Sequence, residues 1–151
     1  MRNKLAFLSV CILISALSFS QKKAVEIIGN WKGTLSNDKS TRQLIVVITD
    51  AYIDDFGKYY GIKGYSTVDE KNKTYFANSD TKDITQCTTI FRLFEPKNGN
   101  LRSNGVFELH LYCAGCEGVE DDSESRSEND ICGEWKSYDG KLMRYVKLER
   151  K

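Results

Sequence analysis

Proline is nearly missing: Pro96 is the only one in 151 residues, and no stretch rich in proline or glycine divides the chain. That excludes a Pro- or Gly-rich linker between domains. Histidine is just as scarce, with His110 alone, so an H-E-x-x-H metal helix cannot be built. No G-x-S-x-G elbow and no glycine-rich phosphate loop is present either. A surplus of one charge is also absent, with 22 basic against 21 acidic residues. Without a basic surplus, nucleic acid is not an expected partner. No apolar run after Leu17 is of membrane-spanning length, which is roughly 20 residues. No long helical period with caps can be found.

What is present begins with the N-terminus. Arg2 and Lys4 precede an apolar run from Leu5 to Leu17, followed by Ser18, Phe19 and Ser20. Basic region, short apolar region and small residues at −3 and −1 predict a signal peptide over 1–20, cut near Ser20/Gln21. The expectation is an exported chain, periplasmic or extracellular, with no membrane span after cleavage. Cys11 lies inside the apolar run and follows Val10, which argues against a lipoprotein. Residues 21–151 then form one domain, large enough to bury a core. Two of the basic residues and none of the acidic ones lie in the signal, so the formal charge moves from +1 to −1.

The remainder reads as strands. Trp31, Gly33 and Leu35 alternate with polar residues, the period-2 pattern of a half-buried strand. Leu44 to Thr49 is a β-branched run, which predicts a well-buried strand. Lys58 to Val68 carries Gly61 and Gly64, which suggest a bulge or sharp bend. Lys73–Asn78, Thr85–Glu95 and Val106–Cys113 follow as strand candidates. Gly133–Tyr138 and Leu142–Glu149 predict a terminal hairpin with Asp139-Gly140 as a type I′ turn. The expected fold is all-β: an antiparallel meander of about eight strands closed into a small barrel, with a β-sandwich as the alternative. A short echo links Ile27-Ile28-Gly29-Asn30-Trp31-Lys32 to Ile131-Cys132-Gly133-Glu134-Trp135-Lys136. It reads either as two related strands brought together by closure or as coincidence between strand starts.

Four cysteines remain after signal removal: Cys87, Cys113, Cys116 and Cys132. In an exported chain they read first as disulfides. Cys113-Ala114-Gly115-Cys116 also has the spacing of a redox dithiol or half a zinc site. Strand register suggests a pairing. Cys87, Thr89, Phe91 and Leu93 share one face, as do Phe107, Leu109, Leu111 and Cys113. An antiparallel pair must point both apolar faces the same way. Leu93 opposite Phe107 and Phe91 opposite Leu109 would bring Cys87 opposite Cys113, leaving Cys116 for Cys132. This requires a long loop through Asn98-Gly99-Asn100, since a tight turn there would set Cys87 against His110.

Other constellations suggest less chemistry. Glu117 to Asp130 holds seven carboxylates interleaved with serines. It reads as a solvated loop, because no twelve-residue EF-hand register fits for calcium. His110 and Glu108 share a strand face and could in principle act as an acid–base pair, though such residues more often simply face solvent. The aromatics of the middle third make Tyr59, Tyr60 and Tyr65 candidates for ligand binding.

Gly29-Asn30-Trp31 at the first strand, in an exported all-β chain with a basic last strand, resembles the calycin superfamily of lipocalins, avidins and fatty-acid-binding proteins. The whole chain is also similar to short lipocalin-like secreted proteins of the Bacteroidetes, which begin with a G-x-W-x-G strand and end in a G-x-W hairpin. In lipocalins this tryptophan plugs one end of the barrel beneath an Arg or Lys from near the last strand. The resemblance implies that role for Trp31, with Arg144 or Arg150 as the cation and Trp135 as a second structural tryptophan. It implies a non-catalytic binding protein for a small apolar ligand or a protein partner, with no cofactor and no metal. The alternative is an interaction or inhibitor module with a filled barrel, and an enzyme is a third reading.

Overall fold

Alternation of apolar and polar residues organises nearly every element. The computed structural model describes residues 22–84, 89–97, 104–111 and 130–151. Among them lie ten strands: β1 (Lys22–Lys23), β2 (Gly29–Asn37), β3 (Ser40–Ile53), β4 (Tyr59–Val68), β5 (Thr74–Tyr75), β6 (Asn78–Ile84), β7 (Thr89–Phe94), β8 (Gly105–Leu111), β9 (Asp130–Ser137) and β10 (Met143–Arg150). In β8, Phe107, Leu109 and Leu111 are buried, with Val106, Glu108 and His110 partly exposed between them. The β-branched run of β3 predicts burial on both faces, but the structure buries one. Leu44, Val46 and Ile48 are covered, whereas Ile45 and Val47 are only half-buried and Thr49 is exposed. A sheet with a single apolar face leaves the other to water.

The strands form one antiparallel sheet in the order β5-β4-β3-β2-β10-β9-β8-β7-β6, with β1 added to β3. The β-sandwich alternative is thereby replaced by a single, strongly curled half-barrel. The first long strand pairs with the last: Leu35 faces Val146 and Trp31 faces Arg150. Close backbone approaches permit the curl. A Cβ on Gly33 would lie 1.9 Å from the Lys147 carbonyl, and one on Gly133 would lie 2.0 Å from that of Glu108. Only glycine lets neighbouring strands come so near.

Closure by a backbone ladder, expected from the sequence, is not made between the two ends of the described sheet. Two hydroxyls bridge β4 and β6 instead. The Ile62 N–H donates to Ser79 Oγ at 2.9 Å, and Thr81 Oγ1 donates to the Tyr59 carbonyl at 3.0 Å.

Some elements differ from expectation. β6 has no apolar alternation to announce it, because its positions include the hydroxyls of Ser79 and Thr81 that bridge to β4. The predicted strand 73–78 shrinks to the two residues of β5. The β9–β10 hairpin is not a two-residue type I′ turn. Ser137 N–H donates to Leu142 O, and Gly140 N–H donates to Ser137 O. Only Gly140, at φ 69°, is left-handed, so Asp139 and Gly140 sit inside a longer loop.

The concave face holds the core. Trp31, Leu44, Val46, Phe91, Leu93, Leu109, Ile131 and Leu148 are wholly buried. Tyr59 meets Phe91 edge-on, and Phe76 meets Phe107 in the same way.

Candidate functional site

Trp31 is wholly buried on β2, opposite Arg150 of β10. Its indole Nε1 donates to the Ile27 carbonyl at 2.9 Å, which satisfies the polar atom of a fully buried ring. The Arg150 guanidinium lies over the ring, 4.4 Å from its centroid. Arg150 also donates from Nη1 to Ile28 O at 2.8 Å and from Nη2 to Glu26 O. The last strand thus ties down the segment entering the first. Of the two cations offered by the sequence, it is Arg150 that covers Trp31. Arg144 lies at the other end of β10, opposite Trp135, because β10 runs antiparallel between β2 and β9.

The other end is polar inside. Glu95, only 8% exposed, accepts at Oε2 from Trp135 Nε1 at 3.1 Å and from the Gly105 N–H at 2.9 Å. Ser66 Oγ reaches Oε1 at 3.4 Å. Burial pushes the Glu95 carboxyl above its ordinary range, and these three donors offset part of that rise. Tyr138 donates to the Glu95 carbonyl, and its phenol is also pushed up, first by burial and then by the Glu95 charge.

The outer face of β7–β10 carries a depression of about 510 Å³ lined by Ile90, Glu108, His110, Cys132, Glu134, Lys136 and Tyr145, among others. Lys136 bridges Glu134 at 2.7 Å and Glu108 at 3.2 Å, and these carboxylates hold its ammonium above the usual range. His110 faces Cys132 across the β8–β9 ladder, with Nε2 3.2 Å from Sγ. The arrangement adds Cys132 to His110 and Glu108, which the sequence already places on one strand face. Among the described residues no cluster of three or more metal-ligating side chains occurs.

The three tyrosines proposed for ligand binding do not share a pocket. Tyr59 points into the core, whereas Tyr60 stacks on Tyr52 outside, with centroids 5.6 Å apart. Adjacent strand residues face opposite ways. Gly61, at φ 59°, then inserts a bulge beneath the Tyr52 ring, which returns Tyr60, Lys63 and Tyr65 to one outer face. Tyr65 pairs with Tyr75 at 5.6 Å, and Lys73 lies over the Tyr65 ring at 4.4 Å. A second depression, about 410 Å³, lies at the β4–β6 seam between Gly61–Lys63 and Phe76–Ser79.

The predicted signal peptide, three of the four remaining cysteines (Cys87, Cys113 and Cys116) and most of the acidic run lie outside the described residues. Among the described residues no helix is long and apolar enough to cross a membrane. No protein-family model matches the chain, and no curated protein and no solved structure is significantly similar to it.

Proposed function

We propose that this is an exported, non-catalytic binding protein on a calycin-like barrel, and that it recognises a protein partner through its outer tyrosine face. In this reading the half-barrel closes along the β4–β6 seam, and Trp31 beneath Arg150 is the plug at its end. The observation that carries the choice of partner is the filled interior. Trp31, Phe91, Phe107, Leu93 and Leu109 occupy the concave face at 1% exposure or less, where a deep apolar ligand would have to lie. The outer face of β3–β5 instead presents Tyr60 at 36% and Tyr75 at 62% exposure, beside Lys63 and Lys73. Exposed tyrosines on rigid strands supply contact area at little entropic cost.

Native mass spectrometry of the protein purified from its own host tests this. A complex with a second polypeptide is expected, and it should be lost in a Tyr60→Ala/Tyr75→Ala variant whose melting temperature is unchanged. A monomer carrying only a small apolar molecule would overturn the reading in favour of an internal ligand.

A further inference from the structure

A single cross-strand row runs over the outer face of β7–β10. Ile90 pairs with His110, His110 with Cys132, and Cys132 with Lys147. Residues paired in this way share a face of the sheet. Cys132 therefore has a histidine on one side and a lysine on the other. The His110 ring is close, with Nε2 3.2 Å and Nδ1 3.8 Å from Sγ.

Cys132 is disulfide-bonded. It is the only cysteine among the described residues, so its bonded partner lies outside them. Its surroundings are not those of an inert staple. Inert cysteines are buried among apolar groups, whereas reactive ones sit partly exposed beside cations. Cys132 is partly exposed and forms part of the wall of the depression of about 510 Å³. The other charges on this face flank the row. Glu108 and Glu134 share the Lys136 ammonium, and Arg92 is held by Asp80. On the far side Asp130 and Glu149 lie opposite each other. His110 and Lys147 are the cations within the row itself. A sulfur that leaves as a thiolate beside such groups leaves faster.

We propose that Cys132 is the reactive sulfur of a thiol–disulfide exchange site that is opened by a dithiol reductant. One thiolate of the reductant attacks the sulfur bonded to Cys132. The S–S bond breaks, and Cys132 leaves as a thiolate stabilised by His110 and Lys147. The second thiol of the reductant gives its proton to water and displaces the mixed disulfide. The released partner sulfur takes up a proton, and the dithiol has become a disulfide. In the reverse direction Cys132 is the nucleophile, and the depression beside it admits the incoming disulfide. This site is separate from the outer tyrosine face and does not depend on it.

The test exposes the full, folded chain to dithiothreitol and labels it with pulses of iodoacetamide, followed by peptide mapping. His110→Asn and Lys147→Met are treated alongside. Cys132 should be labelled roughly tenfold faster or more than the cysteines that are not bonded to it. Once reduced, an ordinary thiol loses about a hundredfold in alkylation rate between about pH 8.5 and about pH 6. Cys132 should lose less than about tenfold in the wild type and approach the ordinary loss in His110→Asn, with Lys147→Met between them. A merely structural role for His110 would leave that pH profile unmoved. Four results would overturn the proposal: labelling of Cys132 without reductant, labelling no faster than at the other cysteines, an ordinary pH profile in the wild type, or a wild-type profile in His110→Asn.

Discussion

Glu95 shows how one buried acid sets a pH dependence. Its carboxyl titrates above the ordinary glutamate value of 4.5 because burial disfavours the charge. Between those two values the folded protein binds more protons than the unfolded chain, so stability falls as pH rises through the window. Glu95→Gln keeps an acceptor for Trp135 and Gly105 without the charge. Urea midpoints measured from about pH 4 to pH 8 should decline in the wild type and flatten in the variant. A wild-type profile that rises across the window would contradict the assignment. The pull on Glu95 was not legible beforehand: the sequence shows a glutamate before a lone proline, and only the fold sets it against Trp135. Trp31 was legible, because a Gly-x-Trp at a strand start carries its own packing requirement. The choice between Arg144 and Arg150 was not, since it depends on which neighbour of β10 each residue faces.

At the level of elements, the β4–β6 seam is held differently from every other neighbouring pair along the sheet. Elsewhere a backbone ladder joins the strands, and here Ser79 and Thr81 hydroxyls stand in for it. Ser79→Ala leaves the Ile62 N–H without its acceptor, a loss of about 1–3 kcal/mol if no water replaces it. Amide exchange at Ile62 should then accelerate by roughly tenfold or more, with Leu109 and Val146 little changed. Unaltered protection at Ile62 would show that the hydroxyl clasp does not hold the seam. Elements with an apolar face were readable: β2, β7, β8 and β10 show alternation in the sequence, and β3 was readable as a β-branched run, though not which face it buries. β6, written Asn-Ser-Asp-Thr-Lys-Asp-Ile, was not, because an edge strand joined to β4 only through hydroxyls has no hydrophobic period to find.

For the whole molecule, the β7–β8 register follows from where the apolar faces must point. Leu93 pairs with Phe107 and Phe91 with Leu109, and the Glu95 N–H donates to Gly105 O, so the connection is the long loop rather than a tight turn. We expect the same register to carry on past Ile90 and His110, which would set Cys87 against Cys113, both outside the described residues. We therefore expect Cys87–Cys113 and Cys116–Cys132 bridges, the second contributing about 3 kcal/mol on the chain-entropy account. Peptide mapping without reductant decides it. A Cys113–Cys116 bridge, or thiols holding zinc, would refute the pairing.

The pairing of β2 with β10 bears on how the protein comes into being. Ile28 and Arg150, which meet beside Trp31, are 122 positions apart. The ordering cost of bringing them together falls before any contact between them forms, so folding is slow relative to a helical chain of this size. Until β10 exists, β2 has an unpaired edge and Trp31 has no cover. A nascent chain cannot lock its first strand early. On the proposed reading of an exported chain, that delay would keep the polypeptide in the extended state that a translocation pore accepts.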